Sequence, residues 1–161
     1  MVAQNCARLY RSNAVLTASP GQLVLFMYDG ALQAMAAARD AMGRPAADIT
    51  RFETIHRQIA KARRIISELQ GNLDFKVGDG EFAGVLSRLY HYYNRRLLEA
   101  NLKKDAEPIR EIEDLLGELR NAWAEMLRKN GPAIPASSSG SPETAPQLSA
   151  QALAQASHVR R

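Results

Sequence analysis

The sequence predicts an all-α protein: an antiparallel four-helix bundle with a short N-terminal helical arm and a disordered C-terminal tail. Three observations carry this. Apolar residues recur at steps of three and four through most of the chain. No stretch shows the alternation of a half-buried strand. Stop signals then leave only short connections between the periodic segments, which favours an up-and-down arrangement. The divisions that follow are an arm over 1–18, a helical bundle over 19–130 and a Pro/Ser/Ala-rich tail over 131–161.

Residues 2–14 read as a short helix or arm, and the first long helix begins behind a firm signal. Ser19-Pro20-Gly21-Gln22 supplies an N-cap hydroxyl, a proline at the first helical position and a glutamine three residues after the cap. Ala18 and Leu23 take the staple positions around it. From Gln22 to Met42 the helix is apolar nearly all round, so either it is the most enclosed of the four or a second face is kept for a partner. Gly43-Arg44-Pro45 ends it.

Asp48 or Thr50 starts the second helix, with Thr50 and Glu53 spaced as another capping box. Its core face is Phe52, Ile55, Ile59, Ala62, Ile66, Leu69 and Leu73. Gly71-Asn72 and Gly78-Asp79-Gly80 close it and open the third helix, whose stripe is Phe82, Leu86, Leu89, Tyr93, Leu97 and Ala100. Asn101 to Pro108 holds the third turn, since proline is tolerated only in the first turn of the fourth helix. There Ile109, Ile112, Leu116, Leu119, Trp123 and Met126 alternate steps of three and four, the seam spacing of helices packed at shallow angles.

Composition changes at Gly131. The last 31 residues hold four of the seven prolines, six serines and seven alanines, with Glu143, Arg160 and Arg161 as their only Asp, Glu, Lys or Arg. So little apolar surface cannot offset an ordering cost of ~1–2 kcal/mol per residue, so the segment is expected to be disordered. A helix over Gln147–His158 would be marginal on its own.

Several function classes are excluded by counting. One cysteine, Cys6, leaves no internal disulfide and no multi-thiolate zinc site, and it reads as an inert thiol on the arm. With no leader and no long apolar run, a cytoplasmic protein without membrane insertion is expected. A formal charge of +4 is mild and spread out. The basic runs Lys61–Arg64, Arg95-Arg96 and Lys103-Lys104 read as solvated helix surface interleaved with Glu68, Glu99 and Asp105, so no nucleic acid is expected. Glu53-x-x-His56 has the form of half a di-iron site, but Arg88 and Gln155 stand three residues before His91 and His158, so there is no second half. Gly78-x-Gly80 follows a helix and lacks a Gly-Lys-Ser/Thr ending, so it is a helix break and not a phosphate loop. No catalytic residue, cofactor or metal is predicted. The aromatic set Tyr10, Tyr28, Tyr90, Tyr92, Tyr93 and Trp123 suits a peptide-gripping groove, although Tyr93 and Trp123 lie on the seams where core packing is the plainer account.

Tyr10-Arg11-Ser12-Asn13-Ala14-Val15-Leu16-Thr17-Ala18-Ser19-Pro20-Gly21-Gln22-Leu23-Val24, continued by Met27-Tyr28-Asp29-Gly30-Ala31, resembles the opening of the flagellar secretion chaperone FliS family. The likeness extends through Ile66–Leu69, Asn72–Asp74, Leu89-Tyr90, Arg95–Asn101, Leu115-Leu116, Leu119-Arg120 and Ala122-Trp123, covering roughly residues 8–128. His91 departs from it, standing where the family tends to carry an acid, and Gly78-Asp79-Gly80 lengthens a Gly-Gly turn; the tail has no counterpart.

This resemblance implies a cytoplasmic export chaperone and no enzyme. It would bind the C-terminal segment of flagellin, prevent premature polymerisation and deliver its client to components of the flagellar type III export apparatus. For the client groove the expected residues are Tyr10, Leu16, Leu23, Met27, Tyr28, Ile59, Ile66, Tyr90 and Tyr93, across the arm and first three helices. Surplus apolar surface also leaves room for self-association. The alternative is a generic helical adaptor or scaffold without flagellin specificity.

Overall fold

The computed structural model describes residues 17–130. Four helices occupy most of them: α1 Pro20–Met42, α2 Arg51–Gly71, α3 Glu81–Lys103 and α4 Glu107–Asn130, with no strand among the described residues. Of the expected arm over 1–18 only Thr17 and Ala18 are described, and the expected tail over 131–161 lies outside the described residues.

Each helix packs against its neighbour in sequence, and α4 closes the ring on α1. Cross-helix bonds give the directions. From the start of α1 onward, Gly21 accepts from Trp123 Nε1 at 2.9 Å, Asp29 pairs with Arg120 at 2.7 Å and Arg39 with Glu113 at 3.4 Å. The α4 partners descend as the α1 residues rise, so the two run antiparallel. Between α2 and α3 the same holds for His56–Asn101, Ser67–Asn94 and Gln70–Ser87. The product is the expected antiparallel bundle.

Local chemistry explains the ends. Ser19 Oγ accepts from the Gln22 amide at 3.3 Å while the Ser19 amide donates to Gln22 Oε1 at 3.0 Å, the capping box expected at α1. The one expected at α2 is not formed. Thr50 lies in the helical region at φ −85°, and Asp48 Oδ1 accepts from both its amide and its hydroxyl, so that hydroxyl is not turned toward Glu53. Gly78 and Gly80 have φ of 64° and 74°, and a Cβ on Gly80 would stand 2.7 Å from the Phe75 carbonyl oxygen, so this motif is a helix break. α3 runs two residues past Asn101 and stops where Lys104 turns left-handed, its amide donating to the Ala100 carbonyl.

The core is built from the predicted stripes. Met35, Ile55, Ile59, Ile66, Leu97, Ile109, Ile112 and Leu116 are fully buried, each contributing ~1.5–3 kcal/mol relative to exposure. Ala31, Ala34, Ala38 and Ala41 give α1 a thin inner face on which larger neighbours settle. The stripe fails at one member: Phe52, expected at the head of the α2 core face, is 52% exposed because it lies in the first turn, at the bundle's end.

Candidate client-binding surface

Large apolar side chains left in solvent gather at the two ends of the bundle. α1 starts, α2 ends and α3 starts at one end, and there Leu23 (38% exposed), Phe26 (40%), Phe75 and Val77 lie open. Leu23, Met27 and Gly30 follow helical steps along one side of α1, and a Cβ on Gly30 would touch Ile65 of α2. Leu23 and Met27 therefore border the α1–α2 seam, with Phe26 just outside it. At the opposite end, Ile49, Phe52, Leu98 and Leu102 are open. An α1 apolar nearly all round thus buries one face and leaves part of another uncovered.

The expected groove residues divide three ways. Leu23 and Met27 are on this surface, whereas Tyr10 and Leu16 lie outside the described residues. Tyr28, Ile59, Ile66, Tyr90 and Tyr93 are in the core with no more than 2% of their surface exposed, so a partner resting on the intact bundle does not touch them. For the tyrosines the reason is a mutual bond: Tyr28 and Tyr90 hydroxyls meet at 2.6 Å, so neither needs water. Burial pushes the Tyr28 phenol up from its ordinary pKa, and burial with its tyrosine neighbours pushes Tyr90 up further. Edge contacts of Tyr28 with Trp123 at 6.4 Å and of Tyr90 with Tyr93 at 6.3 Å complete the cluster.

Phe26 is the surface residue that sequence reasoning missed, and its signal was available. It belongs to the Leu23–Tyr28 run, where more apolar residues stand in a row than one helix face can bury.

Ion pairs hold the scaffold under this surface. Arg120 grips Asp29 through Nε and Nη2, tying α4 to α1. Arg96 and the Tyr92 hydroxyl both donate to Glu111, tying α3 to α4. Bonds from Lys103 and Arg96 hold the Glu99 carboxyl below the usual carboxylate range. His56 Nδ1 contacts Asn101 at 3.0 Å and Glu53 pairs with Arg57, so both halves of Glu53-x-x-His56 have local partners. Among the described residues no group of three or more His, Cys, Asp or Glu could hold a metal, and no helix is long and apolar enough to cross a membrane.

Comparison with known proteins bears on what such a surface is for. Residues 2–130 match the family model described as "Flagellar protein FliS". The flagellar secretion chaperone FliS of Salmonella typhimurium is 39% identical over 124 residues, covering 76% of this chain and 87% of that one. Its counterpart in Bacillus subtilis is 31% identical over 128 residues, covering 80% and 90%. The chaperone FliSB of Pseudomonas aeruginosa is 38% identical over 112 residues, covering 68% and 82%. With the family model matched over most of its length and its four helices closed into one bundle, the chain belongs to the FliS family.

Proposed function

We propose that the protein is a cytoplasmic flagellar secretion chaperone that binds the C-terminal segment of flagellin, keeps it from polymerising early and delivers it to the flagellar type III export apparatus. Support for the export-chaperone part comes from the relatives' own designation as flagellar secretion chaperones. What supports the reading on this chain is the pair of exposed apolar side chains Leu23 and Phe26, with half-buried Met27 beside them, on an otherwise well-packed helix.

The physical logic is reciprocal covering. A terminal segment that assembles into a filament carries apolar stripes that self-associate when exposed, and an uncovered strip on a rigid bundle buries them. Ordering the client costs ~2–5 kcal/mol of the gross interaction, which keeps the complex releasable at the export gate. No bond is made or broken, so the role needs placement of surface and no reactive group.

Leu23→Ser/Phe26→Ser should weaken flagellin binding tenfold or more in isothermal titration while circular dichroism keeps the wild-type helical signal, because both side chains are already partly in water. Flagellin shortened at its C terminus should fail to co-purify. Retention of the shortened flagellin would instead favour the generic adaptor.

A further inference from the structure

We propose that the outer face shared by α2 and α3 is a second docking surface, built for an acidic amphipathic helix of a partner protein and distinct from the α1 strip. The observation is a segregation of charge. α2 carries no carboxylate between Glu53 and Glu68, and α3 none between Glu81 and Glu99, whereas Lys61, Arg63, Arg64, Arg88 and Arg95 fall within those stretches. Several of the carboxylates elsewhere are engaged. Glu99 binds Arg96 and Lys103, Glu111 binds Arg96, Glu113 binds Arg39, Asp29 binds Arg120, and Asp105 accepts from the Glu107 amide. None of these five cations enters an ion pair among the described residues.

Cross-helix bonds set their level. Ser67–Asn94 at 3.1 Å marks the middle of the face, with Arg63 and Arg64 one turn before Ser67 and Arg95 directly after Asn94. Because α2 and α3 are antiparallel, these three residues stand within about one helical turn of the same level along the bundle. Arg88 and His91 extend the row along α3 at helical spacing, both exposed. Two of the cations are already constrained: Arg95 lies over the Tyr92 ring at 5.5 Å, and Arg63 Nε is buried without an acceptor.

The end of the face selects a protein rather than a polyanion. His56–Asn101 holds the helices together there, and beside it Phe52 (52% exposed), Leu98 and Leu102 (74%) stand open. A nucleic acid would neutralise the arginines but leave these side chains uncovered. A helix bearing carboxylates on one edge and apolar residues on the next satisfies both parts. From Ser87 to Asn101 the face is ~21 Å long at 1.5 Å per residue, enough for about four turns of a partner helix.

The test uses the full chain with a synthetic helix about twenty residues long, leucines at three-and-four spacing and glutamates elsewhere, and a control in which lysines replace the glutamates. Anisotropy titration should give at least tenfold tighter binding of the acidic helix. Arg64→Glu/Arg95→Glu should lose at least tenfold of it, Arg64→Gln/Arg95→Gln an intermediate amount, and Phe52→Ser/Leu102→Ser should also weaken it, with helicity unchanged. Flagellin binding by Arg64→Glu/Arg95→Glu should stay within twofold of wild type. Equal binding of the two helices, insensitivity to the arginine changes, or displacement of the acidic helix by an oligo-thymidine strand would overturn the proposal. A parallel loss of flagellin binding would also overturn it, by making this face part of the client site.

Discussion

Tyr28 and Tyr90 donate and accept within a core otherwise made of aliphatic side chains, alanine and Tyr93, which makes each hydroxyl dependent on the other. Removing one strands its partner, and a buried unsatisfied polar group costs ~1–3 kcal/mol. Tyr28→Phe should therefore destabilise the bundle by about that amount, and Tyr28→Phe/Tyr90→Phe by less than the sum of the two single changes, as read by urea denaturation. The pair also links stability to pH. Both folded pKa values are raised, so their contribution is complete below the ordinary tyrosine value near 10 and is lost as the pH climbs toward the folded values, where the unfolded chain ionises first. Between pH 8 and about 10.5 the double Phe variant should lose less stability than the wild type. Sequence reading assigned these rings to a groove because tyrosine joins a large contact area to a polar handle; that two such hydroxyls would find each other across sixty-two positions is a tertiary fact.

Helix ends were legible wherever the signal is local. Ser19-Pro20-Gly21-Gln22 capped α1 as its spacing required, and the Gly-x-Gly break carried two left-handed glycines. Thr50 misled because Asp48, two residues earlier, competes for the same hydroxyl, and a cap read from spacing alone ignores that competitor. Lys104 is the described non-glycine residue with positive φ, at 54°. A side chain in that region costs ~1–2 kcal/mol, so Lys104→Gly should raise the thermal midpoint despite losing the contacts of its ammonium with Asn101. Gly80→Ala should lower the midpoint, with a loss of stability greater than the same ~1–2 kcal/mol, because the added Cβ also meets the Phe75 carbonyl.

For the molecule as a whole, the client surface is expected to include residues before the start of α1. The segment before Ser19 carries Leu9, Tyr10, Val15 and Leu16 and joins the bundle at the end where Leu23 and Phe26 are open. Tyr10 and Leu16 of this segment are among the residues expected from the sequence to contact the client. Deleting residues 1–16 should then change flagellin affinity, measured by titration calorimetry, while leaving helicity and thermal stability of the bundle nearly as they were. Equal affinities with and without the segment would remove this role from it.

Period and punctuation were enough to determine the helices, their order and all but one member of their core stripes, and the residue runs from Tyr10 to Ala31 carried the family resemblance. Those features depend on residues a few positions apart, and neighbours along a chain interact whatever the rest of the fold does. Only the packed structure decided which apolar residues stay in water. Exposure depends on where a helix lies relative to the ends of its neighbours: Phe52 continues a perfect stripe into open solvent, while Tyr28 and Tyr90, which were expected to line a groove, close the interior beside Tyr93. Charge followed the same division. The carboxylate-free stretches of α2 and α3 are legible in the sequence, but that Glu99 and Glu111 are taken up by Arg96 and Lys103 while Arg64 and Arg95 enter no ion pair among the described residues is decided by how the helices pack.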